Sequence, residues 1–324
     1  MEWIVNRAKK GYAQDISLIL TYGSYINGTA GPKSDVDCYF IPKTQRGYEF
    51  ATTLILDGIG YDIFPVSWER VTKIANLKQV LLPCVGDVKV LYAASQEDLE
   101  RFRGLQERMG KNLQDEAYSR QIAAEKVSEA AAMLAGNVWV AAGYIICTLA
   151  DAVAIYNHTY YHRGMKKQYE DLLALPGIPS EIPEEYLAVI RSKTDEECIE
   201  HCSRMLRVVA DYIGVEAELG EYKAQPTQVW NYQELGPLYE EISSTFNKIY
   251  ANDDPVVVYH AAVSLQGELP EDLDIIGAYC YEDLASIKER AKLVEQCYVA
   301  RILEAGGQIN RYKTMEEVIR AYDC

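Results

Sequence analysis

Asp35 and Asp37 stand two residues apart at the start of an apolar run that continues to Ile41. On a strand, positions i and i+2 share a face. Two carboxylates that close repel strongly unless something positive lies between them. A hard divalent cation, Mg²⁺ above all, meets that need, because it takes oxygen ligands and shares them with substrate phosphates. Just upstream, the apolar segment Leu18–Tyr22 ends in Gly23-Ser24. Gly23 lets the backbone turn and approach a ligand closely. Ser24 adds a hydroxyl and an N–H, and Tyr25 and Ile26 can open a helix whose N-terminus favours phosphate. A third carboxylate, Asp62, lies inside the apolar run Tyr61–Val66. A charge there is costly unless it is paired or metal-bound; the plainer alternative is a surface-facing strand residue or a hairpin cap. Asp57, in the turn Asp57-Gly58-Ile59-Gly60, is ordinary turn chemistry.

The Gly-Ser turn, followed ten residues later by Ser34-Asp35-Val36-Asp37, resembles the signature of the nucleotidyltransferase superfamily, the DNA polymerase β type. It is similar in particular to the antibiotic nucleotidyltransferases, aminoglycoside- and lincosamide-directed, that carry a helical C-terminal domain. The resemblance covers roughly the first 110 residues; beyond them only the plan of a helical second domain matches. It implies transfer of AMP, or another nucleoside monophosphate, from ATP or another triphosphate to a hydroxyl of a small molecule. Two Mg²⁺ ions about 4 Å apart would serve the entering and leaving oxygens. Asp35 and Asp37 would hold metal, and Gly23 and Ser24 would cradle the terminal phosphates. Asp62 matches the superfamily's third acidic position, where it either completes the metal shell or takes the acceptor's proton. The resemblance also admits a homodimer, since relatives sometimes build the pocket between subunits. Two further readings stay open: an antitoxin-like adenylyltransferase acting on a protein or RNA, and a non-catalytic nucleotide-binding relative.

Other candidates lie further along. Asn157–Lys167 holds the chain's tight cluster of His, Arg and Lys, and Lys166 and Lys167 are expected to pair with triphosphate oxygens. The alternative is a solvated basic turn at a helix end. His158 and His162, four apart, have metal-ligand spacing but no third ligand beside them. His201 with Cys198 and Cys202 invites a zinc site less readily than a buried helix face. Glu116, Glu125 and Glu129 are each candidates for the acceptor's base, with nothing to choose among them. Twenty-five tyrosines against five phenylalanines suit a pocket that stacks a base or sugar.

The elements that must place these groups follow from periodicity. Glu2–Ile19 has helical spacing and runs into a strand at Leu18–Tyr22. Strands are expected at Asp35–Ile41, Tyr48–Leu56, Tyr61–Val66 and Val88–Tyr92, with the Asp57-Gly58 turn making a hairpin. Helices are expected from Ser67 to Leu77 and from Ser95 to Met109, each with a serine cap. The fold class is therefore α+β. A mixed sheet with flanking helices occupies 1–110, and an all-α bundle occupies 111–324, with a linker or bundle corner at 215–235. Within the bundle, helices are expected at 117–134, 138–156, 169–175, 184–191, 195–214, 236–250, 255–268, 272–305 and 314–322. Val138–Tyr156 approaches membrane-spanning length, but Asp151, Gly143 and its polar flanks favour a buried bundle helix.

Bulk properties narrow the function. A chain of 324 residues suggests two domains. Its net charge of −16 argues against a nucleic-acid partner, whose phosphates must be met by Lys and Arg, and weakly favours a cationic acceptor. Eight scattered cysteines without a Cys-x-x-Cys, and no long apolar stretch at the N-terminus, lead to the expectation of reduced thiols and a cytoplasmic protein.

Overall fold

The computed structural model describes residues 1–31, 34–134, 138–216 and 230–322, with only the backbone of Met165 and Lys166. The architecture is α+β, with a mixed six-stranded sheet and a helical region. Two compact units divide the chain: Met1–Asn112 with Tyr232–Ser244 and Ile302–Cys324, and Leu113–Asn231 with Thr245–Arg301.

The first unit opens with α1 (Glu2–Gly11), β1 (Ile16–Thr21) and the single turn α2 (Ser24–Asn27). It continues with β2 (Val36–Pro42), β3 (Thr52–Leu56), β4 (Ile59–Pro65), α3 (Trp68–Ala75), α4 (Pro83–Gly86), β5 (Lys89–Ala93) and α5 (Gln96–Gln114). The strand order is β5-β1-β2-β4-β3, closed on the far side by a strand from much later in the chain. Every residue of β1 is buried, as befits a central strand with a continuous apolar run. β2 alternates. Cys38 and Phe40 face a core built with Ile4 and Ala8 of α1, Ile16, Ile19, Phe50 and Ile63. Asp37 and Tyr39 therefore face the other way. Serine caps α3, with Ser67 accepting from the Arg70 N–H at 3.1 Å. Ser95 and Asp98 form a reciprocal cap on α5.

Among the departures from the expected pattern, three have a visible local cause. The opening helix stops at Gly11, and the strand begins at Ile16; Asp15 makes the break, held by Thr44 at 2.6 Å and Arg46 at 2.5 Å. The strand expected over Tyr48–Leu56 begins only at Thr52, because Arg46–Phe50 is a 3-10 turn. That turn drives Phe50 edge-on into Phe40 and brings Gly47 so close to the Asp15 carbonyl that a Cβ would lie 2.4 Å from it. The helix expected over 272–305 starts at Ala285, preceded by a 3-10 turn at Ile276–Ala278 that Asp274 caps through the Gly277 N–H at 3.1 Å.

The second unit is helical: α6 (Glu116–Met133), α7 (Val138–Tyr156), α8 (Met165–Leu173), α9 (Glu181–Arg191) and α10 (Asp195–Ile213). It also holds the later part of α11 (Gly236–Ala251), all of α12 (Pro255–Glu268) and most of α13 (Ala285–Glu304). α7 is long and apolar enough to cross a membrane by length and composition, yet most of it is buried within this unit. Gly143 admits Val263 of α12, whose Cγ1 lies 2.6 Å from where a Cβ would stand. A buried polar chain crosses the unit, with the Tyr186 hydroxyl bonded to His260 at 2.7 Å and to Gln168 at 3.0 Å.

β6 (Arg311–Tyr312) and α14 (Met315–Tyr322) follow and belong to the first unit. β6 lies parallel to β3, with the Ile55 N–H on the Asn310 carbonyl at 2.9 Å.

Candidate active site

The acidic residues are placed by register. β2 and β4 run parallel, with Asp37 opposite Asp62 and Tyr39 opposite Phe64. Directly paired residues of parallel strands share a face, so both carboxylates stand on the face away from the α1 core. Beneath them on that face Tyr22, Tyr39 and Phe64 pack ring against ring at 6.1–6.4 Å. The two acids thus sit on an aromatic floor in which Tyr39 is fully buried and Tyr22 and Phe64 are partly so. Asp37 is anchored through its main chain: its carbonyl accepts from Thr21 Oγ1 at 2.8 Å and from the Tyr22 N–H at 3.3 Å. Asp35 lies one residue before β2 begins, outside the ladder.

Burial, then the charge of Glu241, then that of Asp37 push the Asp62 carboxyl up to about 7; a hydrogen bond from Thr53, its cross-strand partner, opposes them, and Asp35 adds further repulsion. Like charges have gathered here at a cost in folding free energy.

Gly23 touches this cluster. Its backbone has φ +80°, and a Cβ on it would lie 2.5 Å from Asp37 Oδ2. Glycine is required twice over, by conformation and by space. The turn it starts is α2, closed by Gly28 in the left-handed region with its N–H on the Ser24 carbonyl. Asn27 then ties the loop by accepting from the Thr29 N–H and hydroxyl at 3.1 and 2.7 Å. The Ser24 hydroxyl is buried and has no hydrogen-bond partner among the described residues. A buried hydroxyl left unsatisfied costs about 1–3 kcal/mol, so its place calls for an explanation.

Two residues of this site come from α11 and were not anticipated from the sequence. The Ser244 hydroxyl donates to Asp35 Oδ2 at 2.9 Å across 209 positions of chain. Glu241, one turn earlier, supplies the charge that disturbs Asp62 most. α11 passes beside Gly60, two residues before Asp62 on the same face; the Glu240 carbonyl and the Ser244 Cβ lie 3.6 and 3.7 Å from where its Cβ would be, ordinary van der Waals distances.

The remaining candidates lie in the second unit. Lys167 pairs with Glu170, and beside it Arg163 pairs with Asp171; the Lys166 side chain lies outside the described residues. His158 and His162 do not share a helix, because α7 ends at Tyr156 and α8 starts at Met165. His158 instead bonds the Leu113 carbonyl at 2.7 Å. His201 turns to Glu185 at 2.6 Å, while Cys198 and Cys202 are buried. Glu116, Glu125 and Glu129 ride on α6.

Among the described residues no group of three or more His, Cys, Asp or Glu stands close enough to hold a metal ion. Mg²⁺ seldom uses such a cage: it takes one or two carboxylates and completes its shell with water and substrate phosphate. The all-oxygen pair Asp37 and Asp62, with the unsatisfied Ser24 hydroxyl across the Gly23 turn, fits a hard cation carrying a phosphate group.

No protein-family model matches the chain, and neither does any curated protein. A solved structure described as a nucleotidyltransferase-like protein from Exiguobacterium sibiricum 255-15 is similar over 76% of this chain and 80% of that chain, at 10% identity and a TM-score of 0.34. So slight a likeness adds no weight to the geometry.

Proposed function

We propose that this protein is a Mg²⁺-dependent nucleotidyltransferase that moves AMP, or another nucleoside monophosphate, from a triphosphate to a hydroxyl of a small molecule. The observation that carries the reading is the placement of Asp62 opposite Asp37 on adjacent parallel strands, against the Gly23-Ser24 turn. Asp35 and Asp37 would hold the cation, with Asp62 beside them as the acceptor of the incoming hydroxyl's proton. Mg²⁺, when bound, neutralises phosphate oxygens and offsets the repulsion among these acids. The Ser24 hydroxyl donates to a phosphate oxygen, which satisfies its buried proton, and Gly23 keeps the backbone close enough for that contact. The acceptor we assign is small and hydroxylated, of the aminoglycoside or lincosamide type, in keeping with a net charge that repels polynucleotides.

Incubation with ATP, Mg²⁺ and a panel of such antibiotics, scored by pyrophosphate release, tests the reading. Drug-dependent release that disappears with EDTA, and falls at least about 100-fold in Asp37→Asn, is the expected result. Labelled AMP on protein or RNA instead would move the acceptor to another class, and ATP binding without any turnover would overturn the transferase reading.

A further inference from the structure

The geometry points to α11 as part of the acidic site, and we propose that Ser244 is a positioning residue that orients Asp35 as a cation ligand. This rests on the nucleotidyltransferase reading above. Asp35 precedes β2, so no sheet ladder fixes its backbone as one fixes Asp37. What the ladder does not supply, α11 does. Ser244 is buried, and its hydroxyl donates to Asp35 Oδ2 at 2.9 Å. That donor fixes the position of one carboxylate oxygen and so limits the rotation of the group. Groups that hold metal ligands in this way commonly govern affinity about as strongly as the ligands' own geometry does.

The residue type matters as much as the contact. A lysine or arginine at this position would orient Asp35 equally well, but it would also compensate the negative charge that attracts the cation. A neutral hydroxyl orients without neutralising. The neighbours on the same turn have other tasks: Ser243 donates to the Glu240 carbonyl at 2.8 Å, and the Glu240 carboxylate accepts from the main chain and side chain of Asn310. Glu241, an exposed residue one turn before Ser244, strengthens the negative potential at Asp62.

The test is Mn²⁺ binding to the full-length protein, followed by the electron paramagnetic resonance of free Mn²⁺, with and without a non-hydrolysable ATP analogue. Ser244→Ala, Ser244→Thr and Ser243→Ala are compared with wild type, and thermal melts confirm that each is folded. The expected result is a loss of Mn²⁺ affinity of about tenfold in Ser244→Ala. Affinity should return to within about threefold in Ser244→Thr, which keeps the hydroxyl, and stay unchanged in Ser243→Ala. Wild-type affinity in a folded Ser244→Ala would overturn the positioning role while leaving the transferase reading intact. Absence of Mn²⁺ binding to wild type under both conditions would overturn both.

Discussion

Gly23 and Asp62 show how much of this site is a matter of single atoms. Gly23→Ala would place a methyl 2.5 Å from Asp37 Oδ2 on a backbone at φ +80°. The expected cost is about 1–3 kcal/mol by urea denaturation, with Mn²⁺ binding lost alongside. Asp62 gives a prediction of opposite sign. Its carboxyl lies at about 7 in the fold against 3.8 ordinarily, so between about pH 4 and 7 the folded chain keeps a proton that the unfolded chain has released. Stability contributed by this group therefore falls as pH rises through that window. Asp62→Asn removes the ionisation and is expected to raise the thermal midpoint at pH 8 by about 2–4 °C, with the gain shrinking as pH falls and gone near pH 4, while pyrophosphate release collapses. Glu240, buried and likewise pushed up to about 7, leaves a residual slope in that variant. The residue types at 23, 24, 35, 37 and 62 and their alternation were legible because each lies in a short local pattern. The pairing of Asp37 with Asp62 was not, because register is fixed by the β3–β4 hairpin and by the cores that Phe40 and Ile63 fill.

Among the elements, α11 is tied to the sheet unit at several separate points. Its start is pinned at Gly236, where a Cβ would lie 1.7 Å from the Gln308 carbonyl oxygen. It is held again by the Arg311 guanidinium, which bonds the Tyr239 hydroxyl at 2.6 Å, and by Glu240 on Asn310. β6 joins that assembly to β3 through the Asp57 N–H on the Tyr312 carbonyl at 2.9 Å. Gly236→Ala is therefore expected to shift the first turns of α11, loosen the Ser244–Asp35 bond and weaken Mn²⁺ affinity several-fold, although residue 236 touches none of the acids. Alanine normally favours a helix by about 1 kcal/mol over glycine, so destabilisation in a chemical melt would mark the clash as the stronger effect. The helix at 236–250 was expected, but these ties to the sheet were not readable beforehand. Ser243 and Ser244 carry no signature of an acid-orienting role, and a two-residue strand such as β6 has no periodicity to detect. The Arg46–Phe50 turn escaped for a related reason: aromatic, apolar residues suggest strand, but here Phe50 serves the core from a 3-10 turn.

For the molecule as a whole, the broad plan of a mixed sheet followed by helices was legible from the change of apolar period near residue 110, since strands and helices bury different repeats. The surplus of 48 acidic over 32 basic side chains is also a whole-chain property. It predicts no gel shift of a single-stranded or duplex 30-mer at about 50 mM salt, conditions under which a polynucleotide-binding protein would bind most tightly. The late origin of β6 and α14 bears on how the protein is made. On the ribosome, residues 113–301 appear before the strand that covers the outer edge of β3, so a nascent sheet must wait with that edge open. The helical segment, built from local contacts, can condense in the meantime. Emergence of residues 302–322, rather than of the N-terminal half, is then the event that completes the sheet. A chain stopped after Arg301 should consequently accumulate in the insoluble fraction with its helices largely formed.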